Sequence, residues 1–317
     1  MSRLPNSPAD PANGAVVTVG MFDGVHRGHV KVLDALKVAA DARAALSVLV
    51  TFDPHPLRIV RPEDAPQLLT TPAEKIEILA QTALDRVAFL HFTPVLAAYE
   101  PREFVEEILI RRLDMRHLVI GHDHGLGKGR SGDADALSGI AQELGFGIEV
   151  VEAVANEGRS ISSSRIRRLL QQGEVREAAF ALGRPYSLTG TVVRGEGQGR
   201  KLGFPTANLG VEHAEKLVPH EGIYAVRAAL RDRFVDGVLH LGPRPTFAGL
   251  PPSVELHLFD FDANIYGERV FVRFVDRIRD IARFDSVDAL VRAMDRDCDE
   301  ARRLLDRYPP QPAADQS

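Results

Sequence analysis

The 317-residue sequence has one cysteine, no long apolar run, no internal repeat or low-complexity tract and no excess of positive charge. A single thiol, Cys298, excludes an intramolecular disulfide framework and any cysteine-rich metal site. Flanked by Asp297 and Asp299, it is expected to pack on or near a helix rather than to react. The opening MSRLPNSPADPANGA has no apolar signal core and no later run is long enough to span a bilayer, so a soluble cytoplasmic protein without membrane association is expected. With 39 basic and 44 acidic side chains the formal charge is −5. This argues against a general nucleic-acid binder, whose affinity comes largely from many phosphate contacts. An anionic ligand would need a focused pocket instead.

What is present has two rhythms. From Val16 to about Ala181, short β-rich runs (VVTVG, SVLVTF, RVAFLHF, HLVIG, GIEVVEAV) alternate with helical patterns starting near Gly28, Pro72, Pro101 and Asp133. This is the βαβ series of an open parallel sheet. RIRRLLQQG, capped by Ser162 to Ser164, and EVREAAFALG add two helices, and Gly183 and Pro185 mark the boundary between domains. Thereafter the period is two, in SLTGTVV, GIYAVRAAL, RFVDGVLHL, SVELHLFDF and ERVFVRFVDRIR, which predicts a small antiparallel barrel. Ser286 to Tyr308 reads as an amphipathic helix with Val287, Leu290, Met294, Leu304 and Leu305 toward the barrel. The expected domains are 15–183 and 184–308, with disordered tails at 1–14 and 309–317.

The first candidate site is GMFDGVHRGH, Gly20 to His29, where a buried strand gives way to a helix. Free N–H groups and the positive end of the helix favour a phosphate there, and imidazoles can donate to its oxygens. Gly20, Gly24 and Gly28 leave room for a ligand to approach the backbone. Alone, two such histidines more often cap a helix than handle a nucleotide. ISSSRIRR, Ile161 to Arg168, supplies three hydroxyls and Arg165 at another helix start, a second phosphate clamp.

The pair resembles the HxGH nucleotidyltransferase superfamily, and with TFDPHP (Thr51 to Pro56) and ISSSRIRRLL it looks like bacterial FAD synthetase. The resemblance implies a Rossmann-like parallel-sheet domain in which FMN phosphate attacks the α-phosphorus of ATP and releases pyrophosphate. It makes His26 and His29 catalytic. It gives Gly20, Phe22, Asp23, Gly24, Ser162, Ser163, Ser164 and Arg165 to ATP, and Pro54, Pro56, Asp123 and Leu126 to the flavin. In GHDHGLGKGRSG, His124 and Leu126 stand where that family commonly has aromatic residues, which implies weaker or altered flavin binding. Ser164 in place of threonine keeps the hydroxyl.

The second candidate site is GTVVRGEGQGRKLGFPTANL, Gly190 to Leu209: five glycines, a basic pair and a Pro-Thr-Ala-Asn turn. Thr206 and Asn208 could hold Mg²⁺ against ATP phosphates, although this is not a Walker P-loop. Together with GIYAVRA, GPRPTF, VELHLFDF and IYGERVFVRFVDRIRD the string closely resembles the riboflavin kinase module. That likeness implies Thr206 and Asn208 as metal and phosphate ligands, Gly195, Gly199 and Lys201 against ATP, and Glu255 as the base for the ribityl 5′-hydroxyl. Gln198 replaces a frequent arginine and His240 a common asparagine.

Both motif sets occur in the order of the bifunctional bacterial riboflavin kinase/FMN adenylyltransferase family. Its small-molecule substrates would be ATP, riboflavin and FMN, its cofactor Mg²⁺, with room for a homo-oligomer. The rival readings are a kinase with weak or altered adenylyltransferase activity and a non-catalytic flavin-binding or delivery protein.

Overall fold

The computed structural model describes residues 2–3, 13–156, 159–195, 199, 202–231, 233–242 and 253–308. They fall in two compact units, Met1–Ser163 and Ser164–Ser317.

In the first unit β2 (Ala15–Val19), β3 (Leu46–Asp53), β4 (Arg86–His91), β5 (Met115–Gly121) and β6 (Gly147–Val151) form a parallel sheet in the order β4-β3-β2-β5-β6. Period-two alternation splits each strand between two cores. Val17, Val19, Val48 and Val50 meet Phe104, Leu109, Leu137 and Ala141 on one face. Val16 and Leu49 meet Leu33, Leu36 and Leu79 on the other. Those last three side chains come from α1 (Arg27–Asp41) and from the helix Pro72–Leu79. The chain leaves β2 toward β3 and returns to β5, so the crevice for a ligand lies beyond the carboxyl ends of β2 and β5. GMFDGVHRGH follows β2 and GHDHG follows β5.

Some expectations change. Ser2–Arg3, assigned above to a disordered tail, forms β1 and pairs antiparallel with β4. The last parallel strand stops at Val151, because residues after it turn into a hairpin of β7 (Ala155–Asn156) and β8 (Arg159–Ser160). The helices Ser163–Gln171 and Val175–Leu182 group with the second unit rather than ending the first. Their periodicity marks a buried face without saying what it packs against. In the folded chain His220 N–H reaches Leu170 O (2.8 Å) within the barrel unit.

The second unit is a closed barrel of β9 (Ser187–Val193), β10 (Ala207–Val211), β11 (Gly222–Leu230), β12 (Arg233–Gly242), β13 (Ser253–Leu258) and β14 (Arg269–Arg279), ordered β10-β13-β12-β11-β14-β9. Every neighbouring pair is antiparallel. Tyr224, Val226, Leu239, Leu256 and Phe274 fill the interior. Sequence patterning missed β10, because Pro205 and Gly210 make PTANLG read as a turn; without that strand the sheet could not close.

The helix Val287–Arg307 packs outside, on Ala225, Val238 and Phe259. Its buried stripe is Ala293, Asp297, Ala301 and Leu305, a spacing of four; Val287, expected to face the barrel, is exposed at the first helical position. Arg279 clamps Asp297 with two hydrogen bonds (2.8 and 2.6 Å). The buried Arg227 guanidinium pairs with Asp236 (2.9 Å) and donates to the carbonyls of Leu305 and Tyr308, satisfying the helix end.

Candidate functional site

His26 is the N-cap of α1, and the two histidines form a reciprocal capping box. His26 Nδ1 accepts the N–H of His29 (3.2 Å), and His29 Nδ1 accepts the N–H of His26 (3.3 Å). Their rings stack with centroids 3.5 Å apart. An Nδ1 that accepts carries no proton, so each ring is the tautomer with its proton on Nε2. The capping role and the phosphate role are thus compatible: capping uses Nδ1, leaving Nε2–H as the donor type that suits a phosphate oxygen.

The loop before the histidines is strained. Phe22 (φ 47), Gly24 (φ 83) and Val25 (φ 39) all take left-handed backbone, which a β-branched residue rarely adopts. Such residues cost about 1–3 kcal/mol each and persist only where the surroundings over-determine them. Those surroundings are visible. The buried Asp23 carboxylate accepts the N–H groups of Leu69 (3.0 Å) and Thr70 (3.0 Å) and the Thr70 hydroxyl (3.1 Å). Gly24 N–H donates to Thr70 Oγ1 (3.0 Å). Met21 O accepts from Lys75 Nζ (2.7 Å) and Thr51 Oγ1 (3.0 Å). Phe22 is buried against the His29 ring, at 4.7 Å between centroids, and a Cβ on Gly20 would come within 3.0 Å of the Phe22 ring. Ser163 Oγ donates to Asp23 O (2.9 Å), which joins the serine-rich segment to this loop.

Phe22, Asp23, Gly24, His26, His29 and Ser163 therefore come together. Asp23 acts through the loop, since its carboxylate is occupied by Leu69 and Thr70. Ser162 is half-buried just ahead of the helix Ser163–Gln171; Ser164 is exposed and Arg165 half-buried in its first turn.

Of the residues expected at the flavin, Pro54 and Pro56 are half-buried after β3, Pro56 opening a short helix capped by His55. Phe52 stands edge-on to Phe92 (5.4 Å between centroids) at the same strand ends. Asp123 is exposed after β5. Leu126, paired with Gly132 by two 2.9 Å backbone hydrogen bonds, turns into the core and is only 4% exposed. His124 does differ from its surroundings chemically. Its imidazole is pushed down to about 4 by burial and by Arg130, against the opposing charge of Asp123, and its Nε2 is buried without a hydrogen-bond partner among the described residues.

The second site is written in strand register. Asn208 of β10 pairs with Glu255 of β13, and Glu255 pairs in turn with His240 of β12. Directly opposed residues share a face, with Cβ atoms about 4.5–5.5 Å apart. All three lie on the outer face, since their neighbours Leu239, Val254 and Leu256 are buried on the other. A Cβ on Gly195 would sit 2.0 Å from Asn208 Nδ2, and one on Gly199 would sit 3.1 Å from Thr206 Oγ1. Glycine there lets the loop lie directly on both side chains. Burial pushes the His240 imidazole down, with Glu255 opposing. Lys201, Arg200, Gln198 and the PRPTF that follows Gly242 lie outside the described residues.

Thr206 and Asn208 offer neutral oxygen donors, and among the described residues no group of three or more His, Cys, Asp or Glu makes a cage. That donor set fits Mg²⁺, which keeps waters and substrate phosphates in its shell.

Sequence reading missed Thr51, Leu69, Thr70 and Lys75 at the first site. At the second it missed His257, whose Nδ1–H donates to Pro205 O (2.9 Å) and holds the chain ahead of Thr206. The first four act on backbone atoms or on Asp23 across 30 to 54 residues of sequence, so no local motif marks them. His257 was within reach of pattern, two positions from Glu255 on the same strand face.

Two family models match the chain, FAD synthetase over residues 9–165 and riboflavin kinase over residues 182–305. The chain is 35% identical over 299 residues to the bifunctional riboflavin kinase/FMN adenylyltransferase of Bacillus subtilis, with 92% of each chain covered. It is also 35% identical over 296 residues to that of Escherichia coli K12, covering 93% of this chain and 94% of the relative. A crystal structure described as a macrolide-efflux protein from Streptococcus pneumoniae superposes with a TM-score of 0.84 at 30% identity, covering 98% of both chains. Among the described residues no helix is long and apolar enough to cross a membrane.

Proposed function

The chain belongs to the bifunctional riboflavin kinase/FMN adenylyltransferase family, and from that premise we propose which of its residues carry each of the two activities. It phosphorylates riboflavin to FMN with ATP and adenylylates FMN with a second ATP to FAD, releasing pyrophosphate.

In the kinase, Glu255 takes the proton of the ribityl 5′-hydroxyl as that oxygen attacks the γ-phosphorus of ATP. The observation that carries this reading is the register Asn208–Glu255, which sets a carboxylate beside a phosphate-side amide on one barrel face. Thr206 and Asn208 would hold Mg²⁺, which when bound neutralises phosphate charge. Gly195, Gly199 and Lys201 accommodate the phosphates, and His257 keeps Pro205, hence Thr206, in place.

In the adenylyltransferase, His26 and His29 donate Nε2–H to the oxygens of the α-phosphoryl group as charge develops there. Ser162, Ser163, Ser164 and Arg165 hold the β- and γ-phosphates, with Gly20, Phe22 and Gly24 shaping the approach. Pro54, Pro56 and Asp123 face the flavin, while Leu126 only supports the loop. The helices Ser163–Gln171 and Val175–Leu182 group with the barrel unit, while the riboflavin kinase family model starts at residue 182, and in this reading residues 15–183 carry the adenylyltransferase and 184–308 the kinase. The net charge of −5 supports a cytoplasmic enzyme of small molecules that binds neither nucleic acid nor membrane.

Purified protein with riboflavin, ATP and Mg²⁺ should form FMN and then FAD by chromatography. Glu255→Ala should stop FMN formation while supplied FMN is still converted to FAD, and His29→Ala should let FMN accumulate with FAD formation cut to a small measurable residue. Loss of both reactions in folded Glu255→Ala protein would overturn the separate sites.

A further inference from the structure

Lys75 lies in the helix Pro72–Leu79, where the Thr71–Glu74 capping box would suit an ordinary surface helix. Instead its side chain runs inward and is 4% exposed. Its ammonium donates to Met21 O at 2.7 Å and lies 3.4 Å from Thr51 Oγ1, whose own hydroxyl also donates to Met21 O. Burying an ammonium is unfavourable unless it is paired and hydrogen-bonded: burial pushes the Lys75 amine below its ordinary range, and the nearby charges of Asp23 and Asp53 oppose that shift. One short segment, Leu69 to Lys75, thus grips the loop at Met21 O, at the Asp23 carboxylate and at Gly24 N–H. The strained residues Phe22 and Val25, on either side of the left-handed Gly24, lie between or beside these grips, and His26 follows at once.

We propose that Lys75 is a positioning residue for adenylyl transfer: by fixing the Met21 carbonyl it holds the left-handed turn that aims His26 and His29 at the α-phosphoryl group. Thr51 shares the task as the second donor to the same oxygen. The proposal rests on the histidine roles given above. Removing the grip lets the turn relax toward ordinary backbone, which rotates the N-cap and with it both imidazoles. The binding surface for ATP persists, but the donors no longer meet the transition state.

The test is steady-state kinetics on the full chain, with riboflavin phosphorylation as an internal control for folding of the second unit. Lys75→Met should lower kcat for FAD formation on the order of 100-fold while the KM for ATP changes little. Thr51→Val, which keeps shape and adds no charge, should show the same split on a smaller scale. In a double-mutant cycle, Lys75→Met in a His29→Ala background should cause little further loss, since the lysine acts through the histidines. Should Lys75→Met fail to fold by circular dichroism, Thr51→Val decides the question alone. Unchanged kcat in Lys75→Met, or in Thr51→Val where that variant decides, overturns the proposal, as does a fully additive cycle or a rise in KM that accounts for the whole effect. Intact FAD formation in His29→Ala would instead overturn the histidine reading itself.

Discussion

At the first candidate site His26 and His29 follow a strained loop pinned by side chains up to 54 residues away, whereas at the second Asn208 and Glu255 sit on paired strands of a closed barrel. The loop stores unfavourable backbone at Phe22 and Val25 and depends on Asp23, Thr70, Lys75 and Thr51 to keep it. The barrel needs no such clamps for Asn208 and Glu255, because the ladder that closes the fold also aligns them. The two candidate sites should therefore fail differently: the first by loss of individual anchors, the second by steric intrusion or by melting of the sheet.

Intrusion should have the largest effect. Gly195→Ala puts a methyl where Asn208 Nδ2 now lies 2.0 Å away, so kcat/KM for riboflavin phosphorylation should fall on the order of 100-fold while FMN adenylylation is unchanged. Equal loss of both activities would erase the contrast. Melting comes next: Asp297→Ala strands the Arg279 guanidinium under the C-terminal helix and should destabilise the barrel by about 2 kcal/mol, read as a lower denaturation midpoint. The first unit's own midpoint should not move.

An effect of similar size but present only on acidification is confined to the first unit. His124 titrates near 4 when folded and near 6.5 when unfolded, so it is uncharged in the native state across that interval. On acidification the unfolded chain takes up the proton first. Stability attributable to this group is complete above about pH 6.5, declines toward pH 4, and should drop by about 2 kcal/mol between pH 7 and 5. In His124→Phe the urea midpoint of the first unit should be flatter over that range, and an equal slope in both proteins would remove His124 as the cause.

Much of this organisation was legible in the sequence. The change of period from βαβ to strict alternation separated the two architectures, and both motif strings fell at strand ends. What escaped has physical reasons. β10 was hidden because Pro205 and Gly210 look like turn formers, yet Pro205 precedes the strand and Gly210 lies inside it, paired with Thr191. Leu126 was assigned to the flavin by motif position, which does not show the bridge to Gly132 that turns it into the core. Lys75 carries no local sign of burial, since a lysine in the first turns of a short helix ordinarily snorkels to water.

Antiparallel pairing admits only two settings of side-chain direction, outward or inward, and a shift of one residue exchanges them. Because the roles proposed for Asn208 and Glu255 require both to point outward, phosphorylation of riboflavin should report the alignment of β10 on β13. A refolding barrel that has regained its circular dichroism but slipped by one residue would hide one of the two in the lumen and stay silent. Recovery of kinase activity after denaturation would then time the capture of correct strand alignment, separately from the return of secondary structure.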